Sequence, residues 1–149
     1  MKYRNYTYKI LPELNLLLEF WSGEVTLENY IEYKKQVFKS EKFNPHIDTI
    51  ADFRNSFLNV TENDILKLIE FHRQNGFITD RISIHITQTP NHVLYSYLYA
   101  QNIHSSSVHV RTVTVFDSAI MILHLEKHKA IISESFEELR QECLATKSV

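Results

Sequence analysis

His85 and His109 stand on two consecutive segments with strand patterning, and Asp52 closes an earlier one. Two imidazoles and a carboxylate can carry general acid–base chemistry if all three reach one point. Each can equally be an exposed or internally bonded polar group. His124 and His128 are four residues apart, which on a helix puts both on one face. That is half of a zinc site, and a structural site takes four ligands. Leu125 follows His124 where a helical zinc-hydrolase motif needs glutamate, so the plain reading is a polar helix face. There is no Cys-x-x-Cys and no Gly-x-Ser-x-Gly, and Gly23 and Gly76, the only glycines, cannot build a phosphate-cradling loop. Cys143 falls in a helical stripe with Phe136 and Leu139, the place of a buried structural thiol. No catalytic residue, cofactor or metal-ligand set is assigned.

Composition narrows the class. The 149 residues suit one domain, and 44% hydrophobic with 23% charged residues is ordinary for a globular protein. The net charge of -2 and the absence of any basic run beyond Lys34-Lys35 argue against nucleic acid as a partner. A single cysteine forbids an intrachain disulfide and fits a reducing compartment. Residues 1–9 lack the pattern of a signal peptide, and Ala119 to Leu123 is too short an apolar run to span a bilayer. The expectation is a cytoplasmic protein without membrane insertion.

The elements that position these side chains follow from periodicity. Tyr6, Tyr8 and Ile10, then Leu14, Leu16, Leu18 and Phe20, alternate with period two around Pro12, predicting an opening hairpin. Thr26 caps a helix carrying Leu27, Tyr30, Ile31, Lys34, Val37 and Phe38 on one stripe, all apolar but the lysine. Ile47 to Phe53 is a short strand. Thr61 opens a capping box with Asp64, ahead of Ile65, Leu68, Ile69 and His72. Arg81 to Thr87 is a strand with Ile82, Ile84 and Ile86 on one face and Ser83, His85 and Thr87 on the other. Thr89-Pro90 starts a helix with Val93, Leu94, Tyr97 and Leu98 as its core stripe. Val108 to Phe116 is a strand, Asp117 or Ser118 caps the next helix, and Ser135-x-x-Glu138 opens a last one over about 135–145; Lys129 to Glu134 is left as loop or strand. Strands alternating with helices give an α/β fold with a mostly parallel mixed sheet and helices mainly on one face.

A strand buried on both faces reads as an unbroken apolar run. The alternation here predicts one helix-covered face and one partly open face. Glu19, Trp21, His85, His109 and Arg111 would lie on the open face and form a surface for a protein partner or for self-association; a solvated face, or one closed by the last helix, is the alternative.

The run Phe20-Trp21-Ser22-Gly23-Glu24-Val25-Thr26-Leu27-Glu28-Asn29-Tyr30, after a hairpin, and Thr49-Ile50-Ala51-Asp52-Phe53-Arg54, a strand ending in aspartate, resemble SpoIIAA-like, STAS-type domains. The resemblance spans about residues 6–127, with the helix at about 135–145 as an addition. That class includes anti-sigma-factor antagonists, in which a serine after an aspartate at the start of the next helix is phosphorylated. Here that helix begins Asn59-Val60-Thr61-Glu62-Asn63-Asp64, with no Asp-Ser pair. Thr61 is the nearest hydroxyl and the weak phosphosite candidate; Glu62 and Asp64 oppose a phosphate there. The chain looks most like stand-alone bacterial members without the phosphosite. A broader likeness to CRAL-TRIO lipid-binding domains keeps a small apolar ligand in view.

Three functions are expected in order: a non-enzymatic regulatory or binding module acting through protein–protein contact, as a homodimer or with another partner; a binder of a small apolar ligand, with Phe53, Phe57, Tyr97 and Phe116 lining its pocket; and an enzyme using His85, His109 and Asp52.

Overall fold

The computed structural model describes residues 5–103 and 107–145. Tyr6–Leu11 (β1) and Leu16–Val25 (β2) pair antiparallel across a 3-10 turn at Pro12–Leu14. Asn15 leaves that turn in left-handed backbone, φ 51°, which asparagine tolerates better than most residues. The chain continues through Leu27–Lys39 (α1), Asp48–Leu58 (β3), Glu62–Gln74 (α2), Arg81–Ile86 (β4), Pro90–Asn102 (α3) and Val108–Val113 (β5), then Phe116–Ile122 (α4) and Lys129–Ala145 (α5).

The three crossover helices share one way of starting. Thr26, Thr61 and Thr89 each accept the N–H of the third helical residue, and the side chains of Asn29, Asp64 and His92 return a bond to the cap backbone. Thr61→Ala removes one such cap and is expected to lower stability by about 1 kcal/mol, measured by urea unfolding.

The strand order is β1-β2-β3-β4-β5, antiparallel at the first pair and parallel thereafter. Parallel crossovers are nearly always right-handed. Steps that all run in the same direction across the sheet therefore place α1, α2 and α3 on one face. They enclose a core containing Leu17, Trp21, Ala51, Phe53, Tyr33 and Phe77. The other face is not open. Leu16, Leu18, Phe20, Ile50, Ile84 and Ile86 form a second core with Ala119 and Ile120 of α4 and Ile132, Phe136 and Leu139 of α5. The Thr7 hydroxyl donates to the Leu139 carbonyl at 2.8 Å, tying α5 to the edge hairpin. The last helix is thus part of the fold's second layer, and helices cover both faces.

Three local expectations need correction. α5 starts at Lys129, so the 129–134 segment is helical and Ser135 is a buried residue inside the helix, not its cap. α4 starts after Val115 with no side-chain cap from Asp117 or Ser118. α3 buries His92, Tyr95, Ser96 and Tyr99, while Val93, Leu94 and Tyr97 are exposed. The inward stripe of α3 is polar because it meets polar groups on the sheet, described next. Among the described residues no helix is long and apolar enough to cross a membrane.

Candidate functional site

Side-by-side partners in a parallel ladder point to the same face. His109 is level with Ile82, and Arg111 with Ile84, so both lie on the α5 side of the sheet, where they are exposed. Asp52, level with Phe20 and Ile86, is on that side too. His85 faces the other way, under α1–α3. The three groups of the expected acid–base set therefore do not converge, and no shared site can be built from them. Asp52 is engaged instead by Arg54, whose Nε and Nη2 reach its two carboxylate oxygens at 3.0 and 2.9 Å. His109 lies 3.9 Å from the exposed Asp80 carboxylate.

The expected interaction surface also dissolves. Trp21 is 0% exposed, Glu19 2% and His85 5%. They belong to the most enclosed part of the molecule, because the polar parity of the strands turns toward the crossover helices. His124 sits in a turn with left-handed backbone and His128 ends a separate 3-10 turn, so they share no helix face. Among the described residues no cluster of three or more His, Cys, Asp or Glu could hold a metal ion. Thr61 is an exposed cap whose hydroxyl accepts the Asp64 N–H at 3.1 Å. Phe57 and Tyr97 are exposed and Phe116 packs on the α5 side; of the expected pocket aromatics only Phe53 lies between sheet and crossover helices.

What the fold does bring together is a buried polar chamber. From β2 comes Glu19, from α1 Lys34, and their side chains meet at 2.8 Å with 2% of each exposed. The Trp21 indole N–H donates to the other Glu19 oxygen at 3.1 Å. Burial alone would raise the Glu19 carboxyl; the Lys34 charge and hydrogen bond, with Tyr33 and Trp21 beside it, outweigh that and hold it below its ordinary value. The Tyr33 hydroxyl acts here by proximity, without full hydrogen-bond geometry. Burial pulls the Lys34 ammonium down, Glu19 pushes back, and Arg81 lowers it further.

Arg81, at the start of β4, is the second buried cation. Its guanidinium lies 3.6 Å over the Phe77 ring, and Lys34 Nζ is 4.9 Å from the same ring. Its Nε donates to the Phe77 carbonyl at 3.2 Å. No carboxylate among the described residues forms an ion pair with it within 4.0 Å. Asp48 feels its field, but it is level with Leu16 and so faces the opposite side of the sheet.

The chamber histidines are neutral. His85 lies between Ser96 Oγ at 2.6 Å and Ser83 Oγ at 3.2 Å, so both its nitrogens are engaged. Burial, with Arg81 and Lys34 against Glu19, lowers it to about 4. His72 is held well below its ordinary value by burial and by Lys34 and Arg81. The Tyr99 hydroxyl is 2.8 Å from His72 Nδ1 and beside the Arg81 donors. A Tyr99 hydroxyl that donates to Nδ1 leaves the imidazole proton on Nε2, and one that accepts from Nδ1 leaves Nε2 an acceptor. His72 Nε2 has no partner, and neither has Thr49 Oγ1. Both residues line a small cavity with Glu19, Lys34, Arg81, Ser83, His85 and Tyr99, large enough for about one water.

A comparison with protein-family models and with curated proteins finds no match for this chain. The chemistry of the chamber therefore rests on its own geometry.

A second space adjoins it. Val25, Leu27, Leu58, Val60, Ile65 and Leu68 line an apolar recess at the carboxyl ends of β2 and β3, between the starts of α1 and α2. Ligands of open α/β sheets bind outside the carboxyl ends of the strands. Tyr30, Phe53 and Tyr95 line both spaces and form the wall between them. A register shift between β2 and β3 at Phe20/Ser22 reverses the parity of β3 beyond Phe53, so that Leu58, level with Val25, also turns to the recess; such bulges re-aim side chains. Asn91 fixes the rim, its amide exchanging bonds of 2.9 Å with both the N–H and the carbonyl of Leu58. The sequence carried two signs of the chamber: Lys34 in an otherwise apolar stripe, and His72 on the face of Ile65, Leu68 and Ile69. Arg81 and Thr49 gave no separate sign.

Thr49 allows a direct check. Valine is isosteric and removes an unpartnered buried hydroxyl, so Thr49→Val is expected to raise stability by about 1 kcal/mol. The urea midpoint measures it; a loss of 1 kcal/mol or more would mean that the hydroxyl is bonded.

Proposed function

We propose that the protein is a non-enzymatic binding module whose small ligand is held between the sheet and the crossover helices. The observation that carries this reading is the pair of partnerless buried groups, Thr49 Oγ1 and His72 Nε2, around a cavity that also holds charged side chains. A buried polar group without a partner is costly, and a folded protein retains few of them. A bound molecule would supply the partners. The adjoining apolar recess supports an amphiphilic ligand over the purely apolar one expected from the sequence. We read the fold itself as SpoIIAA-like; the opening hairpin, Gly23 at positive φ before the Thr26 cap, and β3 leading into a capped helix support that assignment.

The test is thermal unfolding in a panel of small acids, amines and alcohols. Trp21 is the only tryptophan and stacks on Tyr30 at 5.5 Å, so its fluorescence reports on the wall between the spaces. A ligand at a hundred times its Kd is expected to raise the midpoint by about 8 °C, with a change in Trp21 emission. No stabilisation by any member of a broad panel would remove the reading.

One observation favours a second reading, contact with a protein partner. Val93, Leu94 and Tyr97 present an exposed apolar strip on α3, each 48–58% accessible. Light scattering of the wild type beside Leu94→Glu tests self-association there. A dimer reduced to a folded monomer by the substitution supports it; a monomeric wild type removes it.

A further inference from the structure

Resting on the ligand-binding reading, we propose that the two adjoining spaces take a small monocarboxylate with a short apolar tail. The carboxylate lies among Arg81, Lys34, His72 and Thr49, and the tail lies in the recess lined by Val25, Leu58, Ile65 and Leu68.

Charge gives the sign of the head. Two cations, Lys34 and Arg81, share the chamber with one carboxylate, Glu19, and Glu19 is already engaged by Lys34 and the Trp21 indole. Arg81 is left 4% exposed with a carbonyl, an aromatic face and a tyrosine hydroxyl around it, and with no anion. A buried charge is tolerable when paired, and guanidinium pairs best with a planar two-oxygen anion. The orphaned groups can serve an anion. Thr49 Oγ1 can donate a proton, and so can His72 Nε2 in the tautomer in which Tyr99 donates to Nδ1. A cationic head would meet two cations and these donors instead.

Size bears on the class. Each of the two spaces as it stands has room for about one water, so a ligand enters only by displacing side chains, and among organic anions a carboxylate demands less displacement than a phosphate or sulfate ester. Tyr30 is only half-buried and stands in the wall between the spaces, so the head reaches the chamber when that ring shifts. The recess beyond it has an almost wholly apolar lining, its one charged residue being Asp64, so its chemistry favours an apolar tail over a second charge once its walls part.

The experiment titrates the full chain with acetate, butanoate and hexanoate, and with hexanol and hexylamine as matched controls, following Trp21 emission and calorimetric heat. The expected result is binding that tightens about fourfold per methylene from acetate to hexanoate, with hexanoate at least tenfold tighter than hexanol or hexylamine. Arg81→Met is expected to weaken hexanoate tenfold or more and leave hexanol unchanged. Should that variant not fold, Thr49→Val decides, with hexanoate several-fold weaker on a folded protein. Equal binding of hexanol or hexylamine and hexanoate would overturn the carboxylate head while leaving a ligand site. Hexanoate affinity unchanged in both folded variants, or in Thr49→Val alone if Arg81→Met is unfolded, would overturn the placement. If no carboxylate binds but another class stabilises the protein, this inference fails and the ligand-binding reading stands; if nothing binds, both fail.

Discussion

Glu19→Gln is expected to lower the unfolding free energy by about 3–5 kcal/mol, the usual loss when one partner of a buried ion pair is removed. The carboxylate bridges Lys34 Nζ at 2.8 Å and the Trp21 indole at 3.1 Å, shielded from bulk solvent. Glutamine keeps the shape and one acceptor but leaves the ammonium uncompensated beside Arg81, which already opposes it. The loss is therefore electrostatic, and a second substitution should recover it. The pair Glu19→Leu with Lys34→Met removes both charges at similar volume and is expected to regain most of the stability, since apolar replacements of buried ion pairs are often neutral or better. Urea unfolding followed by Trp21 emission measures all three proteins. A double variant as unstable as Glu19→Gln would show that the pair holds the α1–sheet geometry rather than merely neutralising it.

Acid should destabilise the protein from just below neutrality, well before ordinary carboxylates titrate. His85 falls from 6.5 to about 4 in the folded state, and His72 moves the same way. A histidine lowered on folding binds fewer protons folded than unfolded between those two values. Its contribution is whole above pH 6.5 and is lost as pH falls toward 4. For His85 alone the full loss is about 3 kcal/mol, and His72 adds to it. Glu19, lowered from 4.5, joins only below that value. Asp48, raised from 3.8 by burial, works with the opposite sign, and as it is about half buried its effect is small. Urea midpoints between pH 7.5 and 4.5 should fall throughout, and His85→Asn should flatten part of that slope. A midpoint constant over this range would mean that the imidazoles are solvated.

Much of this architecture was legible in the sequence, and the misreading was specific. The alternation in 14–21 and 81–87 gave strands, and Thr26, Thr61 and Thr89 gave helix starts, because caps and period two are local signals. Which parity met the crossover helices was not local. Leu16, Leu18, Ile82, Ile84 and Ile86 look like the face a helix would cover, and helices do cover it, but they are α4 and α5, which follow the whole sheet in sequence. The parity with Glu19 and His85 looked solvated because each has a partner on another element: Lys34 on α1 for Glu19, Ser96 on α3 for His85. Periodicity weighs residues singly and cannot see such pairings. The same blindness rotated α3, where His92 and Ser96 turn inward to Ser56 and His85 while Val93 and Leu94 turn out. The candidate site failed for this reason too, since His85 and His109 occupy consecutive strands with opposite parity.

The packing of α5 against β1 and β2 bears on how the chain is made. Each strand lies beside its neighbour in sequence, so the sheet can grow in the order of translation. The face of Leu16, Leu18 and Phe20 cannot close until Ile132, Phe136 and Leu139 have left the ribosome. Until those residues emerge the sheet has an uncovered apolar face, the kind of surface that chaperones shield. Helix α5 closes that face, and a stop codon shortly before residue 132 would leave it permanently sticky.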